Sequence, residues 1–223
     1  MKSVLITGAT SGLGKILAKK LLKEYNVYCL GRNKLALSDL ESIGCKTLQV
    51  DFSKPESVWL KSVKAFCPDV DILINNAGTF PIVNIVDASI QHYDNCFSVN
   101  VRAPFILMNL YMSKMVKKGD GCIVNVLSSS AYSGSKDTGI YCASKHALLG
   151  LSRSAFLECR GTGVRICSVA PGSMQTPMGE TDTRQDFSTF IETEGVCDFI
   201  EHVLASNKTL VYDEVKINRS TVR

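Results

Sequence analysis

Two side chains that could together move a proton, Tyr141 and Lys145, are four residues apart in the sequence. In a helix, this spacing places both side chains on the same face. The pKa of a free tyrosine is about 10, and a neighbouring ammonium group favours the phenolate. The pair could therefore act as a general acid and base, although the same spacing also occurs on ordinary helix surfaces.

A glycine-rich loop near the start of the chain could bind phosphate groups. The sequence from Thr7 to Gly14 reads Thr-Gly-Ala-Thr-Ser-Gly-Leu-Gly, after an apolar run and before a segment with helical periodicity. Glycines allow a tight turn close to a ligand, and the free N–H groups at a helix N-terminus suit a pyrophosphate. An ordinary strand-to-helix turn is the alternative, but this context favours a dinucleotide site.

Two further motifs follow later apolar runs, namely Asn75-Asn76-Ala77-Gly78 and Pro171-Gly172. Together with the glycine loop and the Tyr141–Lys145 pair, they resemble the short-chain dehydrogenase/reductase family. The resemblance covers residues 3 to about 178, and extends more loosely to 217. It implies an oxidoreductase that transfers a hydride between a nicotinamide cofactor and a carbonyl or alcohol carbon, with Tyr141 exchanging the proton.

The resemblance also implies two further catalytic residues. The family's serine stands thirteen residues before the tyrosine, which indicates Ser128, with Ser129 and Ser130 as alternatives if the loop is shifted. Asn100 matches a residue that helps to hold a water molecule next to the lysine. Alternatively, Asn100 simply bonds to the backbone within a helix.

The cofactor site implied by these motifs extends over several loops. Asp51 is expected at the adenine ring, Asn75, Ala77 and Gly78 at the adenosine ribose, and Thr176 near the carboxamide. Asn76 is expected mainly to brace the sheet. The complete expected set is Gly8, Thr10, Ser11, Gly12, Leu13, Gly14, Arg32, Asn33, Asp51, Asn75, Ala77, Gly78, Tyr141, Lys145, Pro171, Gly172 and Thr176.

The end of the second apolar run indicates which nicotinamide cofactor is used. An acidic residue at this position binds the ribose of NAD, whereas a nearby arginine accommodates the 2′-phosphate of NADP. Here Gly31 occupies the acidic position and Arg32 follows it. A guanidinium group can bind a phosphate with two hydrogen bonds, so we expect NADP(H), unless Arg32 is simply a solvated loop residue.

Short apolar runs alternate with helical segments along the whole chain, which predicts a Rossmann-type α/β fold. Its doubly wound, mainly parallel sheet should have seven strands and helices on both faces. The predicted strands are residues 4–6, 27–30, 47–50, 71–74, 122–127, 164–169 and 209–217. We expect a helix opened by Pro55, a long helix at about 89–118, one at about 141–159 and a last one at 195–205, with a loop or lid at 179–194.

The composition is that of a globular protein, with 45% hydrophobic and 21% charged residues. The net charge of +4 is too small to indicate nucleic acid binding, and no apolar run is long enough for a membrane span. The nine cysteines form no C-x-x-C pair and the three histidines lack metal-ligand spacing. We therefore expect free thiols, no metal, a cytoplasmic location and one domain over residues 1–223.

The substrate and the partners remain open at this level. A carbonyl reductase or alcohol dehydrogenase, a 3-oxoacyl-thioester reductase of the same family, and an NADP(H)-binding regulator without turnover are all compatible with the motifs. The 179–194 segment carries apolar and charged side chains, and Arg184 in it is slender evidence for an anionic substrate. We expect a homodimer through the helices around residues 95–115 and 141–160.

Overall fold

A seven-stranded parallel sheet forms the centre of the computed structural model, which describes residues 1–207 and 209–220. The strands are β1 (Ser3–Thr7), β2 (Asn26–Gly31), β3 (Lys46–Gln49), β4 (Ile72–Asn75), β5 (Gly121–Val126), β6 (Val164–Pro171) and β7 (Glu214–Ile217). Their order in the sheet is β3-β2-β1-β4-β5-β6-β7, and every neighbouring pair is parallel. The predicted fold class is confirmed, and the sheet is wholly rather than mainly parallel.

Helices cover both faces of this sheet. In the described residues, the α-helices are α1 (Gly12–Leu21), α2 (Lys34–Ser42), α3 (Glu56–Phe66), α4 (Ile90–Phe97), α5 (Ala103–Lys118), α6 (Gly139–Cys159), α7 (Pro177–Glu180) and α8 (Thr193–Ala205). Helices α1, α2 and α8 pack on one face, and α3, α5 and α6 pack on the other. None of the described helices combines the length and the apolar character needed to cross a membrane.

The alternation of side chains along β1 explains why helices cover both faces of the sheet. Val4 and Ile6 are buried on one face in the same cluster as Leu17 of α1. Leu5 points to the opposite face and is buried in the same cluster as Leu107 of α5. Successive side chains of a strand point to opposite faces, so a strand that is apolar at every position needs a helical layer on each side.

The direction of the strand order reverses beside β1. The chain first proceeds from β1 outward to β3, then returns to place β4 on the other side of β1. The loops that follow β1 and β4 therefore diverge to opposite faces and leave a crevice at the carboxyl ends of these strands. Ligands of open α/β sheets bind in this type of crevice.

The predicted long helix at 89–118 is interrupted in the structure. Between α4 and α5, residues Ser98–Arg102 form a π-helical turn. Asn100 lies within this turn, and its side chain exchanges hydrogen bonds with the backbone of Thr79, at 2.8 Å and 3.0 Å. Apolar periodicity does not reveal such an extra residue in a turn, because the apolar stripe continues on both sides.

Other predicted boundaries are shifted. Strand β7 begins only at Glu214, later than the predicted start at residue 209. Pro55 precedes α3 instead of occupying its first position, and α8 begins at Thr193 rather than at 195. The predicted loop at 179–194 contains the end of α7 and a 3₁₀ turn.

Candidate active site

The glycine loop between β1 and α1 is held in a conformation that only glycine adopts easily. Gly8 has a φ of +65°, and a Cβ atom there would lie 2.7 Å from the Ala77 Cα. A Cβ at Gly14 would lie 2.4 Å from the Gly8 carbonyl oxygen. These glycines therefore bring the loop, the start of α1 and the loop after β4 into direct contact.

Asn76 and Thr7 connect the loop after β1 to the loop after β4 by hydrogen bonds. The Thr7 hydroxyl accepts hydrogen bonds from the amides of Asn76 and Ala77, both at 3.0 Å. The Asn76 side-chain amide donates to the carbonyl oxygens of Thr7 and Gly8, at 2.9 Å and 3.2 Å. Side chain and backbone thus fix the floor of the crevice, as expected for a bracing role of Asn76.

We name the cavity above this floor the loop cavity. Its volume is about 280 Å³, and Gly8, Thr10, Ser11, Gly12 and Leu13 line its centre. The helix α1 begins at Gly12, so its free N–H groups and its positive dipole end face the cavity. Glycine backbone at the N-terminus of a helix fits a pyrophosphate, and the residues present therefore suit a dinucleotide.

The outer end of the loop cavity is lined by Gly31, Arg32 and Asp51. A Cβ at Gly31 would lie 2.4 Å from the Thr10 Cγ2, so a side chain at this position would require Thr10 to move. Burial would raise the pKa of Asp51, but hydrogen bonds from Ser53 and the positive charge of Arg32 outweigh it and lower that pKa. The exposed Arg32 is thus placed beside the end of β2 where a ribose would lie.

Four of the residues expected at the cofactor or the catalytic centre line neither the loop cavity nor the second cavity that adjoins it. Asn33 caps α2 by accepting from the Ala36 amide. The Asn75 side chain donates to the Asn125 side-chain oxygen on β5, at 2.8 Å. Gly14 and Asn100 are packed behind the cavity wall.

The acid–base pair lies on α6, at the inner end of the loop cavity. Both side chains are buried, and the Lys145 Nζ is 5.7 Å from the centre of the Tyr141 ring. This Nζ donates a 3.0 Å hydrogen bond to the carbonyl oxygen of Val126, the last residue of β5. Burial lowers the pKa of Lys145 to about 8.

The Tyr141 phenol lies in surroundings that favour its neutral form. Burial raises the pKa of Tyr141 to about 12, and the Ser128 hydroxyl, within hydrogen-bonding reach of the phenol, offsets part of this effect. The Lys145 ammonium, which the sequence predicts to favour the phenolate, is bonded to the Val126 carbonyl oxygen, and burial has the larger effect on the phenol. The phenol is therefore protonated at neutral pH and can donate a proton.

Asn100 connects three elements behind this pair. Its side chain is fully buried, accepts from the Thr79 amide at 2.8 Å, and donates to the Thr79 carbonyl at 3.0 Å and to the Ser144 hydroxyl at 3.0 Å. The backbone contact expected of an ordinary asparagine is therefore present, but it joins separate segments. Asn100 fixes the loop after β4 against α6, next to the two catalytic candidates.

A second cavity, of about 420 Å³, adjoins the first. We name it the serine cavity because Ser128, Ser129 and Ser130 line it. The two cavities share the residues Leu127, Tyr141, Met174, Thr176 and Met178. Pro171 and Gly172, expected at the cofactor, line the serine cavity instead. Tyr141 thus stands between the space that suits a dinucleotide and a separate polar space.

Sequence reasoning missed several residues of the serine cavity, among them Phe80 and Arg219. Phe80 packs edge-on against the Tyr141 ring, with centroids 4.7 Å apart, and Arg219 follows β7. The predicted parallel sheet could have indicated Arg219, which follows the last strand, because the carboxyl ends of parallel strands lie at the same edge of a sheet. No motif marks Phe80, which simply follows the Asn75–Gly78 loop.

Comparisons with known proteins agree with this arrangement. A family model described as short chain dehydrogenase matches residues 2–186. An uncharacterized oxidoreductase of Thermotoga maritima is 36% identical over 78% of this chain and 72% of its own. The ketoacyl reductase HetN of Nostoc sp. is 31% identical over 82% of this chain and 67% of its own.

Solved structures give the same result. The structure of a 4-hydroxyisoleucine dehydrogenase complexed with NADH superimposes with a TM-score of 0.88, at 27% identity, and covers 98% of either chain. With its glycine loop, its parallel sheet and the matching family model, this chain belongs to the short-chain dehydrogenase family of oxidoreductases.

Proposed function

We propose that this protein is an NADP(H)-dependent oxidoreductase that transfers a hydride between nicotinamide and a carbonyl or alcohol carbon. The observation that carries this proposal is the position of Tyr141, whose side chain lines both the loop cavity and the serine cavity. A proton donor at this boundary can reach the oxygen of a substrate whose carbon faces the nicotinamide.

The preference for NADP(H) is part of the same proposal. Gly31 lacks the carboxylate that would bind the ribose of NAD, and Arg32 offers a guanidinium group to a 2′-phosphate. One structural relative is complexed with NADH, so the family as such does not fix the choice. The residues of this chain at the end of β2 are what favour NADP(H).

Each catalytic side chain has a separate task in the proposed reaction. The bound nicotinamide supplies or accepts the hydride. Tyr141, with its raised pKa, donates the proton to the carbonyl oxygen, and Ser128 holds that oxygen by a hydrogen bond. Lys145 places a charge beside the phenol and is expected to contact the nicotinamide ribose, while Asn100 fixes the neighbouring loop.

Two alternatives differ in substrate or in turnover. A 3-oxoacyl-thioester reductase is supported by the 31% identity to the ketoacyl reductase HetN. A regulator that binds NADP(H) without turnover would have no need for Ser128, Tyr141 and Lys145 together, and their placement at one junction favours an enzyme. Our first candidate remains a carbonyl or alcohol substrate other than a thioester, and the substrate screen described below compares the two classes of substrate.

We also propose a homodimer located in the cytoplasm. Phe105 on α5 and Leu157 on α6 are 50% and 61% exposed, which suits a contact between two copies through these helices. All nine cysteines are buried, as thiols that fill a core in a reducing compartment would be. Light scattering of the purified protein measures the oligomeric state directly.

A substrate screen tests the proposed activity. The protein is incubated with NADPH and a panel of ketones, aldehydes, oxo acids and 3-oxoacyl thioesters, and with NADP⁺ and the matching alcohols, while absorbance at 340 nm is followed. We expect turnover of at least one compound, and faster turnover with NADPH than with NADH. Tight NADPH binding without turnover of any compound would contradict the enzyme and favour the regulator.

A further inference from the structure

Two arginines line the serine cavity, and their side chains have different partners. Arg184 forms a bidentate ion pair with Asp182, with N–O distances of 2.7 Å and 3.0 Å. A second carboxylate, that of Asp137, lies 3.7 Å from the same guanidinium group. Carboxylates of the chain itself therefore neutralise Arg184, which removes it as the anion-binding residue that the sequence suggested.

Arg219 has only neutral hydrogen-bond partners in the residues that the structure describes. Its Nη1 donates to the Thr189 hydroxyl at 3.1 Å, and its Nη2 donates to the Gln185 side-chain oxygen at 2.6 Å. No carboxylate of residues 1–207 or 209–220 lies within 4.0 Å of its guanidinium group. Asp182 is the one acidic residue in the cavity wall, so the wall carries an excess positive charge at Arg219.

The surroundings of Arg219 hold its guanidinium in a fixed position. The group lies over the buried Phe190 ring, 5.2 Å from the centroid. The Gln185 amide donates to Asp182 at 2.7 Å, which directs the Gln185 oxygen towards Arg219. An arginine has five N–H donors, and the bonds to Thr189 and Gln185 leave others available for an anion.

We propose that the serine cavity binds the substrate through a compact anionic group, a carboxylate or a phosphate, which pairs with Arg219. The inference rests on the proposed function, because it places the anion in the same cavity into which Tyr141 delivers its proton. A 3-oxoacyl thioester offers no such anion close to its reacting carbon, so this proposal favours a small oxo acid or a phosphorylated ketone.

Matched substrates test this assignment in the enzyme. A series of 2-, 3- and 4-oxo acids is compared with the corresponding methyl esters, and a phosphorylated hydroxyketone with its unphosphorylated parent. In Arg219→Gln we expect kcat/KM on the charged substrate to fall about ten- to hundredfold, mainly through KM. The neutral counterpart should change by less than about threefold, and Arg219→Lys should restore part of the loss.

Lys216→Gln is the matched control, because it removes one positive charge from β7 outside the cavity. Its Nζ lies over the Tyr132 ring, at 3.7 Å from the centroid. We expect this variant to keep the wild-type preference for the charged substrate. Equal losses on charged and neutral substrates in Arg219→Gln, or the same selective loss in Lys216→Gln, would overturn the proposal.

A binding measurement separates failure of this proposal from failure of the proposed function. The NADPH-loaded protein is titrated calorimetrically with sodium malonate and with inorganic phosphate. Binding of either probe that is lost in Arg219→Gln supports the anion site even if no carbonyl compound is reduced, and the probe preferred distinguishes carboxylate from phosphate. Absence of binding to the wild type, or unchanged binding to Arg219→Gln, would overturn it.

Discussion

The two cavities that meet at Tyr141 differ in whether backbone or side chains form their walls. The loop cavity has a floor of backbone, in which glycines at 8 and 14 permit contacts that a Cβ atom would block. The serine cavity is walled by side chains from five separate stretches, at residue 80 and at residues 127–141, 171–179, 182–190 and 218–219. The shape of the loop cavity depends on the absence of side chains at its glycines, whereas that of the serine cavity depends on which side chains line it.

This difference matches what each space has to bind. A dinucleotide presents the same phosphates in every related protein, and backbone N–H groups at a helix end bind them without a specific side chain. Substrates differ among relatives, and side chains on loops can change without disturbing the sheet. Substitutions at the boundary, in the backbone-lined space and in the side-chain-lined space should therefore have distinct effects.

The largest effect is expected for Tyr141→Phe, at the boundary of the two cavities. The change removes the proton donor and keeps the ring that packs against Phe80, so the fold should be retained. Turnover should fall by about 10²- to 10⁴-fold, while NADPH affinity changes much less. Steady-state kinetics and calorimetry measure the two quantities separately.

A neighbouring pair of serines controls for this result. Ser128 is within hydrogen-bonding reach of the phenol, whereas Ser129 begins the 3₁₀ turn that follows. Ser128→Ala should lower turnover and Ser129→Ala should not. Near wild-type turnover in Tyr141→Phe would remove the basis for the proposed function.

The next effect is on the backbone-lined space, where Gly8→Ala should destabilise the fold. The φ of +65° disfavours alanine, and the new Cβ would lie 2.7 Å from backbone at Ala77. We expect a loss of about 2–5 kcal/mol in unfolding free energy, from strain and overpacking together. Denaturant unfolding followed by circular dichroism measures it.

Gly150→Ala is the matched control for this substitution. Gly150 lies within α6, and a Cβ there would meet no atom within 4 Å. Alanine should stabilise this helix by about 0.5–1 kcal/mol, because it loses less backbone freedom than glycine on folding. If both variants changed stability by the same amount, the special role of the glycine loop would be wrong.

Arg32→Ala should separate the two nicotinamide cofactors. The loss of a charge-assisted contact with the 2′-phosphate should weaken NADPH binding by about 1.5–3 kcal/mol and leave NADH binding nearly unchanged. Calorimetric titration with both cofactors gives the comparison directly. Equal affinity of the wild type for NADPH and NADH would contradict the preference inferred from Gly31 and Arg32.

The smallest effect concerns the buried ammonium of Lys145. Burial lowers its pKa to about 8, whereas an unfolded lysine has a pKa of about 10.5. Replacement by methionine should raise the unfolding free energy at pH 7 by about 2 kcal/mol, after a cost of about 1 kcal/mol for the lost bond to Val126.

The pH dependence of this stability difference has a definite sign. Below about pH 8, Lys145 is charged in both the folded and the unfolded chain, and the wild type carries the full penalty. From about pH 8 to 10.5 the unfolded chain binds more protons, so the wild type gains stability relative to the methionine variant. Thermal unfolding of both proteins across this range should show the difference shrinking, and a constant difference would contradict a buried charge.

The sequence predicted the backbone-lined part of the site far better than the side-chain-lined part. Glycines at 8, 12 and 14 and the Tyr141–Lys145 spacing reflect local geometry, which a motif records directly. The direction of the Asn75 side chain and the raised pKa of Tyr141 depend on neighbours distant in sequence, such as Asn125 and the buried surroundings of α6. Arg219 lies 78 residues after Tyr141, and only the order of the strands brings it to the same cavity.

The π-helical turn at Ser98–Arg102 has a consequence for attempts to alter this chain by deletion. Each residue of an α-helix turns the chain by about 100°, so removing one residue here would restore regular winding and rotate α5 by about that angle relative to α4. Leu107 and Tyr111 would then leave the buried face of the sheet, or Asn100 would lose its hold on Thr79. Removing one residue from this segment would therefore disturb either the packing of α5 or the contact of Asn100 with Thr79, so engineered variants need to keep the length of the segment.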